Sequence, residues 1–151
     1  MTKFNPIFEI VSIKQVVREN HEATEVYKVR SPKDCGMLAV DLIGSEDREV
    51  LLVLCLNTKN DVVAIHRCHV GSLNSSIVHP REVFKSAILN NAASIIISHN
   101  HPSFNCSPSS EDIEVTKRIQ EAGILLGIEL LDHIIVAPST FLSLKEKGYM
   151  N

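Results

Sequence analysis

The chain lacks several features that would have set its class at once. None of its apolar runs reaches the roughly 20 residues needed to cross a bilayer. The opening Met1-Thr2-Lys3-Phe4-Asn5-Pro6 has no apolar stretch of the kind a signal peptide carries. A membrane protein is therefore not expected, and a cytoplasmic location is. The four cysteines, at 35, 55, 68 and 106, form no CxxC pair and read as reduced thiols of core and loop. A basic stripe is missing too: 15 Lys and Arg lie scattered against 18 Asp and Glu, for a net charge of −3. That distribution leaves little electrostatic footprint for a nucleic-acid backbone. There are no repeats, low-complexity tracts or linkers. At 151 residues and 44% hydrophobic, the chain is long enough for one domain with a real core and too short for two ordinary ones. Residues 1–30 read as an N-terminal extension packing on a domain that spans 31–151.

What is present concentrates around His99-Asn100-His101 and Pro108-Ser109-Ser110-Glu111-Asp112. The preceding Ala92-Ala93-Ser94-Ile95-Ile96-Ile97-Ser98 is short, apolar and β-branched, a buried strand whose end delivers both histidines. Residues two apart on a strand share a side, so His99 and His101 can reach one ion while Asn100 turns away. Ser109 to Ile113 looks like the start of a helix running to about Ala122 and stopping at Gly123, with Asp112 in its first turn. Two His and one Asp leave the fourth corner of a tetrahedral zinc open, which is the stoichiometry of a catalytic site. Each residue also has an ordinary explanation: Ser109 as a helix cap, Asp112 favoured by the macrodipole, the histidines as polar residues at a strand end. The combination at this spacing is what favours a metal.

The coarse pattern surrounding this stretch is a mixed α/β layer arrangement. Phe8 to Ser12 and Thr24 to Val29 look extended. A helix starts at Ser31-Pro32, with Ser as cap and Pro at the first position, and ends at Gly44. Glu49 to Leu56 and Val62 to Val70 form a hairpin around Asn57-Thr58-Lys59-Asn60-Asp61. A helix over Pro80 to Asn90 follows, and strands are expected near Ile128 to Leu131, His133 to Val136 and Thr140 to Leu144. His66 and His69, three apart on a strand, should point to opposite faces and share no ion. His21 lies in a polar stretch and reads as solvated. Cys106, in the loop between the ligands, could approach the metal or oxidise.

His99-Asn100-His101, seven residues, Ser109, two residues and Asp112 resemble the JAMM motif of the JAB/MPN domain, His-x-His-x7-Ser-x2-Asp with a Glu further upstream. Within that family the chain is similar to the RadC branch through Val78-His79-Pro80-Arg81-Glu82-Val83-Phe84, Ser98-His99-Asn100-His101-Pro102-Ser103 and Leu131-Asp132-His133, and the resemblance runs from roughly Ser31 to Gly148. It departs at Phe104, where the branch usually has Gly, and near Cys106, where it has Pro, so the loop over the metal could differ in shape. The resemblance implies an α/β fold, a mixed sheet flanked by helices in a layered, cytidine-deaminase-like architecture. It also implies one zinc per chain held by His99, His101 and Asp112, a Glu as general base toward activated water, and Ser109 as stabiliser of the oxyanion. His79 and His133 accompany the motif in that branch without being ligands, so second-shell or structural roles are expected for them.

Glu46, Glu49 and Glu82 are all candidates for the base. Glu49 is chosen because it opens the buried strand Val50 to Leu56, and in the family the catalytic Glu starts the strand after the first long helix. A solvated strand-end residue is its ordinary alternative, and Glu82 is explained by the first turn of a helix begun by Pro80. A His2Asp site would also accept other divalent ions. The expected function is a JAMM-type metallopeptidase acting on a peptide or protein substrate. Two alternatives stand beside it. One is an accessory protein in DNA repair or recombination, which the branch label suggests and the charge does not, the first thirty residues being too short for a helix-hairpin-helix module. The other is a metal-stabilised interaction module without chemistry. The scissile bond, the partner and the oligomeric state are not encoded legibly.

Overall fold

A computed structural model describes residues 7–12 and 26–151. Its centre is two strands whose every residue is buried, β1 (Val50–Leu56) and β3 (Ser94–Asn100). That is why β1, and β3 through Ile95-Ile96-Ile97, read as unbroken apolar runs and not as alternating ones. The sheet has the order β2-β1-β3-β4-β5, with β2 (Val62–Val70), β4 (Glu129–Ala137) and β5 (Thr140–Ser143) completing it. β1 is antiparallel to both neighbours, β3 is parallel to β4, and β4 is antiparallel to β5.

Helices cover both faces. On one, α1 (Pro32–Ile43) seats Cys35, Ala39 and Ile43 against Leu52, Leu54, Ile96 and Ile134. On the other, α2 (Pro80–Val83), α3 (Lys85–Leu89) and α4 (Ser110–Leu126) bury Val83, Phe84, Ala87, Val115 and Ile119 against Leu51, Val53, Ile95 and Ile97. The mixed sheet between helical layers is the fold class expected from the sequence.

Several elements differ in detail. The single helix expected over 80–90 is two, meeting at the buried Phe84. Phe8 to Ser12 carries no strand, and Ile7, Phe8, Ile10 and Val11 are exposed. Thr24 and His21 lie outside the described residues, while Lys28 and Val29 pair with Asp61 and Asn60. Four free cysteines agree with reduced thiols; burial pushes the Cys35 thiol up to about 12 and that of Cys68 up to about 11.

Two bulges change which side chains share a face. Opposite β1, Leu51 pairs with His69 and Leu52 with Arg67, so Cys68 is an extra residue in β2. His66 pairs with Val53, which faces the same way as Leu51, so His66 and His69 share a face instead of opposing one another as simple alternation predicts. In β4, Ile95 pairs with Leu130 and Ile96 with Asp132, leaving Leu131 as the extra residue. The bulge merges the two strands expected at 128–131 and 133–136 into one and resets the alternation. Leu130 and His133 then both face α4, and Asp132 faces the other way, accepting hydrogen bonds from Ser143 Oγ (2.5 Å), His133 N (2.7 Å) and Lys145 N (3.2 Å).

Gly123 does not end α4, which continues to Leu126 and is capped by Gly127 in the left-handed region (φ 72°). Gly123 serves instead as the point where the helix lies against the start of β4. A Cβ there would overlap the Ile128 carbonyl oxygen and stand 3.3 Å from Phe84 Cζ. Alanine gains about 1 kcal/mol over glycine in helix propensity, whereas overpacking against a backbone carbonyl costs roughly 1–3 kcal/mol. Gly123→Ala should therefore lower stability in urea denaturation, by up to roughly 2 kcal/mol net; a gain would mean that the helix and β4 can part freely.

Candidate metal centre

The end of β3 and the start of α4 bring three donor groups to one point. His99 Nε2 and His101 Nε2 stand 2.9 Å apart; Asp112 Oδ1 lies 3.2 Å from the first and Oδ2 lies 3.1 Å from the second. Ligands about 2.0–2.1 Å from a tetrahedral ion lie roughly 3.3 Å from one another, so the spacing suits such an ion. Asp112 is held by a capping box: its backbone N–H donates to Ser109 Oγ (3.1 Å) while its Oδ2 accepts from Ser109 N–H (2.9 Å). The ordinary explanation of Ser109 and Asp112 as helix-capping residues thus holds together with the ligand role.

The chemistry of the set calls for a cation. His101 Nδ1 lies 2.6 Å from the Asn105 carbonyl oxygen, which only accepts, so the ring's hydrogen sits on Nδ1 and a neutral His101 offers Nε2 as a lone pair. That lone pair meets a carboxylate buried to within 2% of its surface. Burial by itself pushes the Asp112 carboxyl up, but the His101 and His99 imidazoles beside it hold it well below the usual carboxylate range. Asp112 in turn holds the His101 imidazole above the ordinary histidine value, against the burial that lowers it. The carboxylate is therefore ionised, and a proton or a metal must occupy the space between the rings.

Glu49 stands beside this cluster. Among the described residues, the group of three metal-competent side chains whose donor atoms lie within 4.8 Å of one another is Glu49, His99 and His101. Glu49 is the more distant carboxylate, since Asp112 reaches both histidines at 3.1–3.2 Å. Glu49 Oε2 accepts from Leu73 N–H at 3.0 Å. The other two candidates are placed elsewhere: Glu46 faces Arg67 Nη1 at 3.7 Å, and Glu82 is exposed on α2. Glu49, His101 and Ser109 line one open cleft with Arg48, Gly71 and Ser72.

Asn100, turned away from the two histidines as the strand alternation requires, fixes the approach to Glu49. Its Oδ1 accepts from Val50 N–H (2.7 Å), and its Nδ2 donates to the carbonyls of Arg48 (2.9 Å) and Glu46 (3.2 Å). The amide brackets Glu49 on both sides from inside the sheet, a role that no sequence spacing announces. His133 and Thr116 are likewise brought to the site, with His133 Nε2 2.7 Å from His99 Nδ1. His133 is fully buried, and burial holds its imidazole well below the ordinary histidine value.

The remaining candidates fall away from this cluster. His79 is the N-cap residue of α2. Cys106 Sγ faces the Thr140 carbonyl oxygen at 3.9 Å, and burial raises its thiol, so it is neither a thiolate nor directed at the cluster. Phe104 keeps the left-handed backbone that glycine adopts without cost (φ 69°), so the departure there changes the side chain presented rather than the turn.

Over residues 29–149 the chain matches the RadC-like JAB domain family. It is 54% identical over 124 residues to UPF0758 proteins of Bacillus cereus (strain AH187), Bacillus thuringiensis subsp. konkukian (strain 97-27) and Bacillus anthracis. Each alignment covers 82% of this chain and 55% of the relative, so the chain spans about half the length of the curated relatives it matches. No helix among the described residues is long and apolar enough to cross a membrane.

Elemental analysis of untagged protein should find about one zinc per chain, lost in both His101→Ala and Asp112→Ala. The sign of the pH dependence follows from His101: its raised pKa means that a proton must leave before the metal binds. Apparent zinc affinity should fall as pH drops through the histidine range, by about tenfold per pH unit for each proton displaced. Competition titrations between pH 6 and 8 would measure it, and a flat profile would remove His101 from the ligand set.

Proposed function

The chain belongs to the RadC-like JAB domain family, and on that premise we propose that it is a zinc-dependent hydrolase of JAMM type that cleaves an amide bond in a peptide or isopeptide substrate. The observation that carries the proposal is the meeting, around one cleft, of two imidazoles and a buried carboxylate with a second carboxylate and a hydroxyl beside them. His99, His101 and Asp112 would hold the ion, and zinc bound there supplies Lewis acidity and brings the pKa of water to near neutrality.

The protein's own groups divide the remaining work. Glu49, anchored at Oε2 by Leu73 N–H, receives a proton from the attacking water and delivers it to the leaving amine. Its distance suits that role, because it lies close enough to share the site yet leaves the contacts to both histidines to Asp112. Ser109 Oγ already accepts from Asp112 N–H, so its hydroxyl hydrogen is free for an acceptor in the cleft, and a developing oxyanion is such an acceptor.

Glu49→Gln should keep zinc and the Leu73 hydrogen bond while cleavage falls by about 10²–10⁴-fold. Ser109→Ala should lose about 10²–10³-fold. Both would be read on a panel of peptides and lysine-linked isopeptides. Zinc that raises the melting temperature without any cleavage across that panel would support a metal-stabilised interaction module instead.

A further inference from the structure

Behind His99 runs a hydrogen-bonded chain whose direction can be read from one end. Thr116 Oγ1 donates its single hydrogen to the Asp112 carbonyl oxygen at 2.7 Å, one turn back along α4. A carbonyl only accepts, so the hydroxyl hydrogen is spent there. The Thr116 oxygen can therefore only accept from His133 Nδ1, which lies 2.5 Å away. His133 has no exposed surface, and with Thr116 Oγ1 able only to accept, the neutral ring carries its one hydrogen on Nδ1. Its Nε2 is then an acceptor, and His99 Nδ1, 2.7 Å away, must be the donor. The consequence at the far end is that a neutral His99 ring, its one hydrogen placed on Nδ1, turns the Nε2 lone pair toward His101 and Asp112.

We infer that Thr116 and His133 are positioning residues whose ordered hydrogen bonds hold His99 as the Nδ1–H tautomer, presenting an unprotonated Nε2 to the metal. The inference rests on His99 being a ligand, as proposed above. His101 is held in the same tautomer by a simpler device, the Asn105 carbonyl. His99, inside the sheet, has no free carbonyl to serve it and takes a side-chain relay in its place. The relay exists because of the β4 bulge at Leu131, which puts His133 on the α4 face beside Ile97 and opposite Thr116.

The test is long-range ¹H–¹⁵N correlation of the imidazoles in metal-free protein, with zinc affinity by competition for wild type, Thr116→Val and Thr116→Ser. Wild type should show His99 and His133 protonated on Nδ1 and bare on Nε2. Thr116→Val removes the acceptor and keeps the β-branched shape; it should disturb the His133 pattern and weaken zinc about 10–100-fold. Thr116→Ser should restore both. The tautomer measurement needs no variant, so it stands even where a substitution harms folding. A wild-type His99 protonated on Nε2, or zinc binding unchanged in a folded Thr116→Val, overturns the relay alone. A wild type that takes up no zinc defeats the ligand assignment, and this inference with it.

Discussion

Everything at this site depends on an electrostatic conflict that a proton or a metal ion between the rings relieves. The lone pairs of two imidazoles and the oxygens of a buried carboxylate are packed to within 3.2 Å. Without a proton or an ion between them, facing lone pairs repel at that distance in a low-dielectric interior. Around this conflict the protein supplies directed hydrogen bonds: Ser109 N–H to Asp112, His101 Nδ1 to Asn105, His99 Nδ1 into the His133–Thr116 chain. Each removes a hydrogen or a degree of freedom that would otherwise relax the strain, so the cavity is preorganised for a positive charge.

The same atoms hold the fold. The capping box satisfies backbone N–H groups at the start of α4, a contribution of about 1 kcal/mol for such caps, while aiming the Asp112 carboxylate at the histidines. Changing Asp112 therefore removes the proposed ligand and a cap together. β3 is used on both faces at its end: His99 and His101 point toward α4, and Asn100 points back to hold the segment from Glu46 to Val50. Three consecutive residues of one strand thus set the relation between the two imidazoles and the carboxylate that stands beside them. The connection is rigid because β3 is central and wholly buried.

Much of this was legible in the chain. The unbroken apolar run of β1, the three isoleucines of β3, the Ser-Pro start of α1, the hairpin and the spacing from His99 to Asp112 each follow from local periodicity and capping chemistry. The choice among Glu46, Glu49 and Glu82 was not, because the distance of a carboxylate from an ion made elsewhere in sequence depends on how β1 lies against β3. The role of Gly123 was misread as a helix stop, since a glycine that permits a close approach and one that ends a helix look alike until the neighbouring strand is known. The bulges at Cys68 and Leu131 escaped for a related reason: alternation has a period of two, and a single inserted residue inverts every assignment beyond it.

The sequence by itself determined that His99, His101 and Asp112 meet at one point, because strand alternation and helix capping act over a few residues and carry their own physical reasons. Only the tertiary structure decided which distant residues serve that set. Glu49 reaches it through the pairing of β1 with β3 and the Asn100 amide. His133 reaches it through a bulge that turns its ring to the α4 face, where Thr116 can accept its hydrogen. These are contacts between elements far apart in the chain, set by packing and register, and no spacing within one segment encodes them.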